Sequence, residues 1–424
     1  MTGTQTPSLA DATRVWLKIG VLSFGGPAAQ IALMHKEVVE DRPWLSERQF
    51  LNALSFCMLL PGPEAMQLAT YAGWRLHGTI GGLVAGLLFV IPGAAVIMLL
   101  AAIYSAFGNM PLVESLFYGI KAAVLVIVVE ALLRIAKKAL SQKRHWLIAG
   151  LTFVGIFFFS VPYPLIVFCA GLVGWLWSDL SADLEPIDMG HVSARKTLAT
   201  ITTWLAIWLL PLLALTWLGA PDILTDVGAF FSTLAVVTFG GAYAVLAYMA
   251  QDVVVQFGWL TASEMIDALG LAETTPGPLI LVTQFVGFLA GFKEGGLLLG
   301  IGAALVALWV TFAPCFLWIF AGAPYIEWIS NQPRLKGALT AITAAVVGVI
   351  LNLSIWFALH VLFGTVEQQQ LGPVTLWRPA FATIEWLAVG LFALSAYLAF
   401  GRHWGIPSIL LVSSILGGAL GLMV

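Results

Sequence analysis

The sequence predicts an all-α polytopic membrane protein, built as an inverted repeat of two homologous halves with interrupted or re-entrant helices. Three observations predict it: an apolar composition, long runs without charge, and a series of motifs that occurs twice. The chain has 424 residues, 60% hydrophobic and 10% charged, with 42 Gly and 20 Pro, and its mean hydropathy is +0.96. Soluble domains carry about 25% charged residues, so this chain lacks the polar surface to cover a globule in water. At about 20 apolar residues per span there is room for about 10–13 membrane segments. Glycine and proline at this level suit packed membrane helices.

In chain order, the polar first fourteen residues show no removable signal peptide. Phe24-Gly25-Gly26-Pro27 then breaks an apolar run, and Pro61-Gly62-Pro63 sits inside the run 49–74. Residues 79–108 and 295–326 are uncharged, each long enough for a tilted or kinked span. The span 112–133 carries Glu114, Lys121 and Glu130, with Lys121 expected to snorkel. Residues 146–178 form a helix pair broken at Val161-Pro162-Tyr163-Pro164, and the polar stretch 179–196 is a linker. Further spans are expected over 198–221, 227–251 (interrupted at Phe239-Gly240-Gly241), 337–366 and 405–424, while Pro276-Gly277-Pro278 opens the run 274–292. Trp44, Trp74, Trp146, Trp177, Trp217, Trp259, Trp328 and Trp404 lie near run ends, as an interfacial belt requires.

The repeat has one register. At an offset of 215 positions, Phe24-Gly25-Gly26 becomes Phe239-Gly240-Gly241, Trp44-Leu45-Ser46 becomes Trp259-Leu260-Thr261, and Pro61-Gly62-Pro63 becomes Pro276-Gly277-Pro278. Charge then orients the copies. Lys36, Arg42 and Arg48 of the first copy correspond to Gln251, Phe257 and Ser263, whereas the loop near 108–111 has no cation and its counterpart carries Arg334 and Lys336. Because Lys and Arg favour the cytoplasmic side, equivalent loops are expected on opposite faces. The predicted partition is therefore a first repeat over 1–178, a linker plus orientation-reversing helix over 179–221, and an inverted second repeat over 222–424. Inverted repeats of this kind are a hallmark of secondary transporters.

Proline removes an amide donor and glycine frees the backbone, so each P-G-P triplet ends one helix and starts another. The new helix presents unpaired N–H groups and partial positive charge, which makes an anion site. Polar groups near the breaks are Gln30, Asn52, Glu64 and Gln67 in the first half, and Glu273, Thr274, Thr275, Thr283 and Gln284 in the second. Thr274 and Thr275 precede the half-helix as caps or ligand donors. A carboxylate within a membrane is a functional candidate, so Glu64 and Glu273 stand either for proton coupling or for first-turn dipole stabilisation. His35, Lys36, Arg42, Arg48 and Arg75 at the membrane edge either gather anions or form an ordinary positive-inside loop. The three isolated cysteines and six scattered histidines make no metal site. No nucleotide loop, dinucleotide fingerprint or nucleophile elbow occurs, so an enzyme, a cofactor and a nucleic-acid partner are not expected.

At these residues the sequence resembles the chromate ion transporter family in its long, two-domain form. The resemblance rests on Phe24-Gly25-Gly26-Pro27 with Gln30 and His35, on Trp44-Leu45-Ser46-Glu47, and on Leu59-Leu60-Pro61-Gly62-Pro63-Glu64-Ala65. In the second half it rests on Thr238-Phe239-Gly240-Gly241-Ala242-Tyr243 and on Glu273-Thr274-Thr275-Pro276-Gly277-Pro278. It implies a multi-pass protein of the bacterial inner membrane that exports chromate and so confers resistance; with the inside negative, export of a dianion is downhill electrically with or without coupled protons. Sulfate is the implied mimic, and the motif residues are implied to shape the anion path. A carrier for sulfate or another oxyanion, an anion channel, and a membrane-embedded reductase are the competing readings. The bilayer is the expected partner, and a homodimer is left open.

Overall fold

The computed structural model describes residues 7–108, 110–178, 193–239, 241–330 and 332–421. Gly240 and residues 179–192, most of the predicted linker, lie outside the described residues.

Helix α1 (Leu9–Leu22) starts at Ser8, whose hydroxyl accepts a bond from the Asp11 amide. The chain breaks at Gly25, with φ of +83°, and Pro27 sits in the first turn of α2 (Gly26–His35), which runs on into a π-turn, Lys36–Glu40. A capping box formed by Ser46 and Gln49 opens α3 (Glu47–Cys57). After the first P-G-P comes α4 (Glu64–Phe107), whose helical geometry fails at His77 and at Gly78, where φ is +62°. Two limbs result. A short one, 64–76, turns back on the next, and the backbones touch closely enough that a side chain on Gly73 would strike the Gly81 carbonyl.

The chain continues through α5 (Pro111–Ala139), α6 (Lys143–Phe159), α7 (Tyr163–Leu176) and α8 (Ala194–Trp217). The first series of elements then recurs. Helix α9 (Asp222–Val237) is followed by a glycine break with Gly241 at +97°, α10 (Ala242–Gln251), and a second π-turn, Asp252–Gln256. Thr261 and Glu264 exchange capping bonds ahead of α11 (Ala262–Thr274). The second P-G-P leads through a 3-10 turn, Leu279–Leu281, into α12 (Val282–Gly322), which is interrupted at Gly295 and Gly296 as α4 is at its own break. Backbone bonds hold the same register: the Trp44 amide bonds the Val38 carbonyl at 3.1 Å, and the Trp259 amide bonds that of Val253 at 3.0 Å.

After α13 (Ile326–Ser330) and α14 (Pro333–Leu362) comes a departure from the all-α reading of the sequence. Strands β1 (Val366–Leu371) and β2 (Val374–Pro379) pair antiparallel there around Gly372-Pro373. Helices α15 (Trp386–Ala396) and α16 (Ile406–Gly421) close the described chain. Among the described residues, five helices are long and apolar enough to cross a membrane: Glu64–Phe107, Pro111–Ala139, Ala194–Trp217, Leu279–Tyr325 and Pro333–Leu362. Large apolar side chains such as Ile80, Trp217 and Leu298 are exposed, an arrangement that suits lipid and would aggregate in water.

The residues fall into two compact units, each drawn from both halves of the sequence. Unit 1 comprises Met1–Ala101, Ser178–Ala242 and Thr275–Lys336, and unit 2 comprises Ala102–Trp177, Tyr243–Thr274 and Gly337–Val424. Trp16, Phe50, Phe56, Phe89, Phe231 and Phe285 fill the core of unit 1. In unit 2, α16 packs closely on α5, where Gly119 meets the Ser413 backbone, and the buried hydroxyls of Ser395 and Ser413 bond at 2.8 Å. The Lys121 ammonium donates to the Ser263 hydroxyl and stands 3.5 Å from the Asp267 carboxylate, which also accepts from the Tyr104 hydroxyl at 2.8 Å.

Candidate functional site

The two P-G-P triplets are tied to the two glycine breaks by reciprocal bonds in unit 1. The Gly62 amide donates to the Thr238 carbonyl at 2.9 Å, and the Gly277 amide donates to the Ser23 carbonyl at 2.8 Å. Ser23 and Thr238 are equivalent in the repeat, as are Gly62 and Gly277, so each copy gives the other the same bond. Such an exchange is the signature of a local two-fold relation. Both triplet glycines need left-handed backbone, with φ of +109° at Gly62 and +90° at Gly277, a conformation that costs an L-residue about 1–2 kcal/mol.

The crossing brings four helix starts to one small cavity in unit 1. Its wall contains Pro27 at the start of α2, Pro63, Glu64 and Ala65 at the start of α4, Gly241 and Ala242 leading into α10, and Pro278, Leu279 and Ile280 leading into α12. A helix start carries roughly half a positive elementary charge on its unpaired amides, so four of them make a cationic environment without a Lys or Arg in the wall. The two copies contribute unequally to the wall, whose polar side chains come from the first copy. Glu64 corresponds to Leu279, and Gln30, which also lines the cavity, corresponds to Val245. Gln30 is 1% exposed, and its amide donates to the Gly277 carbonyl at 2.7 Å, locking the first glycine break against the second triplet. The cavity volume is about 20 Å³, about enough for one water molecule.

The other predicted residues divide among several environments. Gln67 is fully buried, donates to the Pro61 carbonyl at 2.7 Å, and has no partner for its side-chain oxygen among the described residues. Gln284 is in the same condition, its amide bonded to the Ala94 carbonyl at 3.1 Å. Thr274 ends α11 and spends its hydroxyl on the Leu271 carbonyl, and the Thr283 hydroxyl donates to the Ile280 carbonyl. Thr275 is buried, whereas Phe24 and Asn52 are exposed. Glu273 lies in unit 2, buried, and accepts from the Tyr243 hydroxyl at 2.7 Å.

Of the edge cations, His35 sits between Glu40 at 3.0 Å and Glu47 at 2.7 Å, and Arg42 bonds Glu37 at 2.6 Å. Both are thus already engaged by carboxylates, while Lys36, Arg48 and Arg75 are exposed. The bond to Glu47 pushes the His35 imidazole above its ordinary value; burial opposes this, and Glu40 adds to it. Sequence reasoning gave no role to Ser23, to Thr238 (quoted only within a family motif) or to the buried Glu37. The first two were detectable, because the repeat extends one residue upstream of each Phe-Gly-Gly. Glu37 was hidden by its charged surroundings.

Paired broken helices whose starts face a common buried cavity, on a frame of long apolar helices, define a multi-pass membrane transporter rather than an enzyme. The family model for chromate transporters matches residues 10–175 and 225–422, so the chain belongs to the chromate transporter family. It is 28% identical over 411 residues to a probable chromate transport protein of Synechococcus elongatus, covering 97% of this chain and 95% of that one. It is 28% identical over 346 residues to a chromate transport protein of Cupriavidus metallidurans, covering 81% of each. A shorter relative, an uncharacterized transporter of Bacillus subtilis, is 30% identical over 159 residues, 37% of this chain and 89% of its own length. No solved structure matches the chain.

Proposed function

We propose that the chain exports chromate across the bacterial plasma membrane, by alternating access of an inverted repeat around the cavity of helix starts. The observation that carries this reading is the convergence of Pro27, Pro63, Gly241-Ala242 and Pro278 on one buried point. A tetrahedral dianion finds amide donors and dipoles there on several sides. With no fixed cation to hold it, it is released as readily as it is bound. A one-water volume is too small for a five-atom oxyanion, so the cavity corresponds to a closed state, and loading requires the two half-helices to part. Sulfate has the same charge and shape and competes for the same dipoles.

Glu64 stands where the dianion would bind. A carboxylate and a dianion repel at this distance, so loading the substrate favours a neutral Glu64 and couples a proton to the cycle; Glu273, paired with Tyr243, is the second coupling candidate. Moving one charge through 100 mV is worth about 2.3 kcal/mol, so a dianion gains roughly 4.6 kcal/mol on leaving a negative interior. At about 1.4 kcal/mol per tenfold, that sustains a gradient on the order of a thousand. The test is labelled chromate uptake into everted vesicles, with membrane potential and pH gradient imposed separately and sulfate as competitor. Saturable, potential-driven uptake with counterflow is expected, and E64Q should keep it while losing its pH dependence. Uptake no greater than in empty vesicles, with folded protein present, would reject chromate as the substrate, and single-channel currents would reject the carrier.

A further inference from the structure

The repeat supplies its own comparison at one buried acid. Glu37, on the first π-turn, is 2% exposed and holds two cations, the Lys18 ammonium and the Arg42 guanidinium, each at 2.6 Å. Its equivalent 215 positions later is Asp252, on the second π-turn, and the flanking backbone bonds of Trp44 and Trp259 confirm the register. The acid is retained but its cations are lost: Lys18 corresponds to Thr233 and Arg42 to Phe257. Among the described residues no ion pair reaches Asp252, whose carboxylate accepts a bond from the Tyr248 hydroxyl.

In place of fixed cations there is a cavity. Asp252 lines a space of about 210 Å³ within unit 2, together with Ser160, Tyr163, Tyr248, Gln256 and Asn352. Among the described residues, no Lys, Arg or His contributes to its wall. Tyr163, 4% exposed, stacks on Tyr248 with ring centroids 4.9 Å apart, and its buried hydroxyl has no partner among the described residues. That hydroxyl is an oxygen ligand in waiting, and the carboxylate beside it is the sole formal charge in the wall. The titratable groups in the wall with Asp252 are these two tyrosines; His360 is not part of the wall, and its ring centroid lies 4.2 Å from that of Trp356. A buried carboxylate, hydroxyls and carboxamide oxygens around a space wide enough for a partly hydrated ion form a hard-oxygen set. We infer that this cavity binds a monovalent cation, proton or alkali ion, which fills the role that Lys18 and Arg42 play for Glu37. The inference does not depend on the transported anion.

The test is made on the full chain in lipid nanodiscs with no oxyanion present, so its failure is separable from failure of the chromate reading. Equilibrium binding of labelled sodium is measured with choline holding ionic strength constant and potassium as competitor. In parallel, the carboxylic-acid infrared band is followed from pH 8 to pH 5. Saturable sodium binding near one ion per chain is expected, weakened at least tenfold in D252N and in F257R, the latter restoring a fixed cation as in the first copy. Y163F should weaken it several-fold without touching the carboxylate. If sodium does not bind, an infrared band present in the wild type and absent from both D252N and F257R assigns the site to the proton. Sodium binding and infrared band both absent from the wild type, or both unchanged in a D252N variant that elutes and melts like the wild type, would overturn the inference.

Discussion

A single backbone angle decides what Gly62 and Gly277 tolerate. At +109° and +90° neither accepts a side chain without strain, and a Cβ on Gly62 would also stand 3.1 Å from the Cys315 sulfur. G62A and G277A are each expected to cost about 1–2 kcal/mol and to cut chromate flux severely. Because the two amides exchange equivalent bonds with Thr238 and Ser23, the two losses should be similar. Flux in vesicles, normalised to inserted protein, checks both; a silent G277A beside a dead G62A would show that the second triplet has no part in transport. His35 gives a pH dependence of stability. Its folded value is raised above the ordinary 6.5, so its contribution is complete below pH 6.5 and is lost as pH rises through the higher folded value. Melting between pH 6 and pH 8 should therefore show a decline in the wild type that H35Q lacks. These residue-level features were legible, since Gly between prolines has few other uses. The asymmetry was legible only in part: Glu64 stood out as a charge in an apolar run, whereas the bond from Gln30 to Gly277 joins residues far apart in sequence, which no local pattern encodes.

Among the elements, the π-turns carry the sharpest contrast. Glu37 ties α1 to the turn that follows α2 through Lys18, and it is buried while its two cations are about half exposed. Breaking a buried ion pair costs about 3–5 kcal/mol, but solvent screening of the partners discounts this. E37Q is thus expected to destabilise by about 1–2 kcal/mol, while D252N, with no fixed cation to orphan, should cost little. Thermal unfolding of the two variants in the same lipid checks the difference, and equal losses would mean that Asp252 has a fixed partner after all. The helix breaks at Gly78 and Gly296 fall at the leading edges of the uncharged runs 79–108 and 295–326, which the sequence presented as tilted or kinked spans. The β1–β2 hairpin was not, because Glu367-Gln368-Gln369-Gln370 is polar without alternation, and only the turn at Gly372-Pro373 signals strands. Helix ends also moved: Thr274 satisfies the end of α11, where the sequence placed a cap for the next helix.

For the whole molecule, the question is whether the two copies of the cavity wall come from opposite sides of the membrane. The reciprocal bonds of Gly62 and Gly277 require the two copies to be related by a two-fold axis where they meet. An axis along the membrane normal would put equivalent loops on one face; an axis in the membrane plane would put them on opposite faces. Charge argues for the second. The first copy carries Lys36, Arg42 and Arg48 around its capping residue, and the second replaces them with Gln251, Phe257 and Ser263. Ser46 and Thr261 are the matching markers, both exposed, both helix caps, and neither in the cavity wall. With Cys57, Cys169 and Cys315 replaced by alanine, S46C should react with an impermeant maleimide only in everted vesicles, and T261C only in intact cells. If both react from the same side, the repeat is parallel, and alternating access by inverted halves fails even though the cavity of helix starts remains. The expected split would mean that exchanging the conformations of the two halves turns an inward-open path into an outward-open one, with the dianion held at the point where they cross.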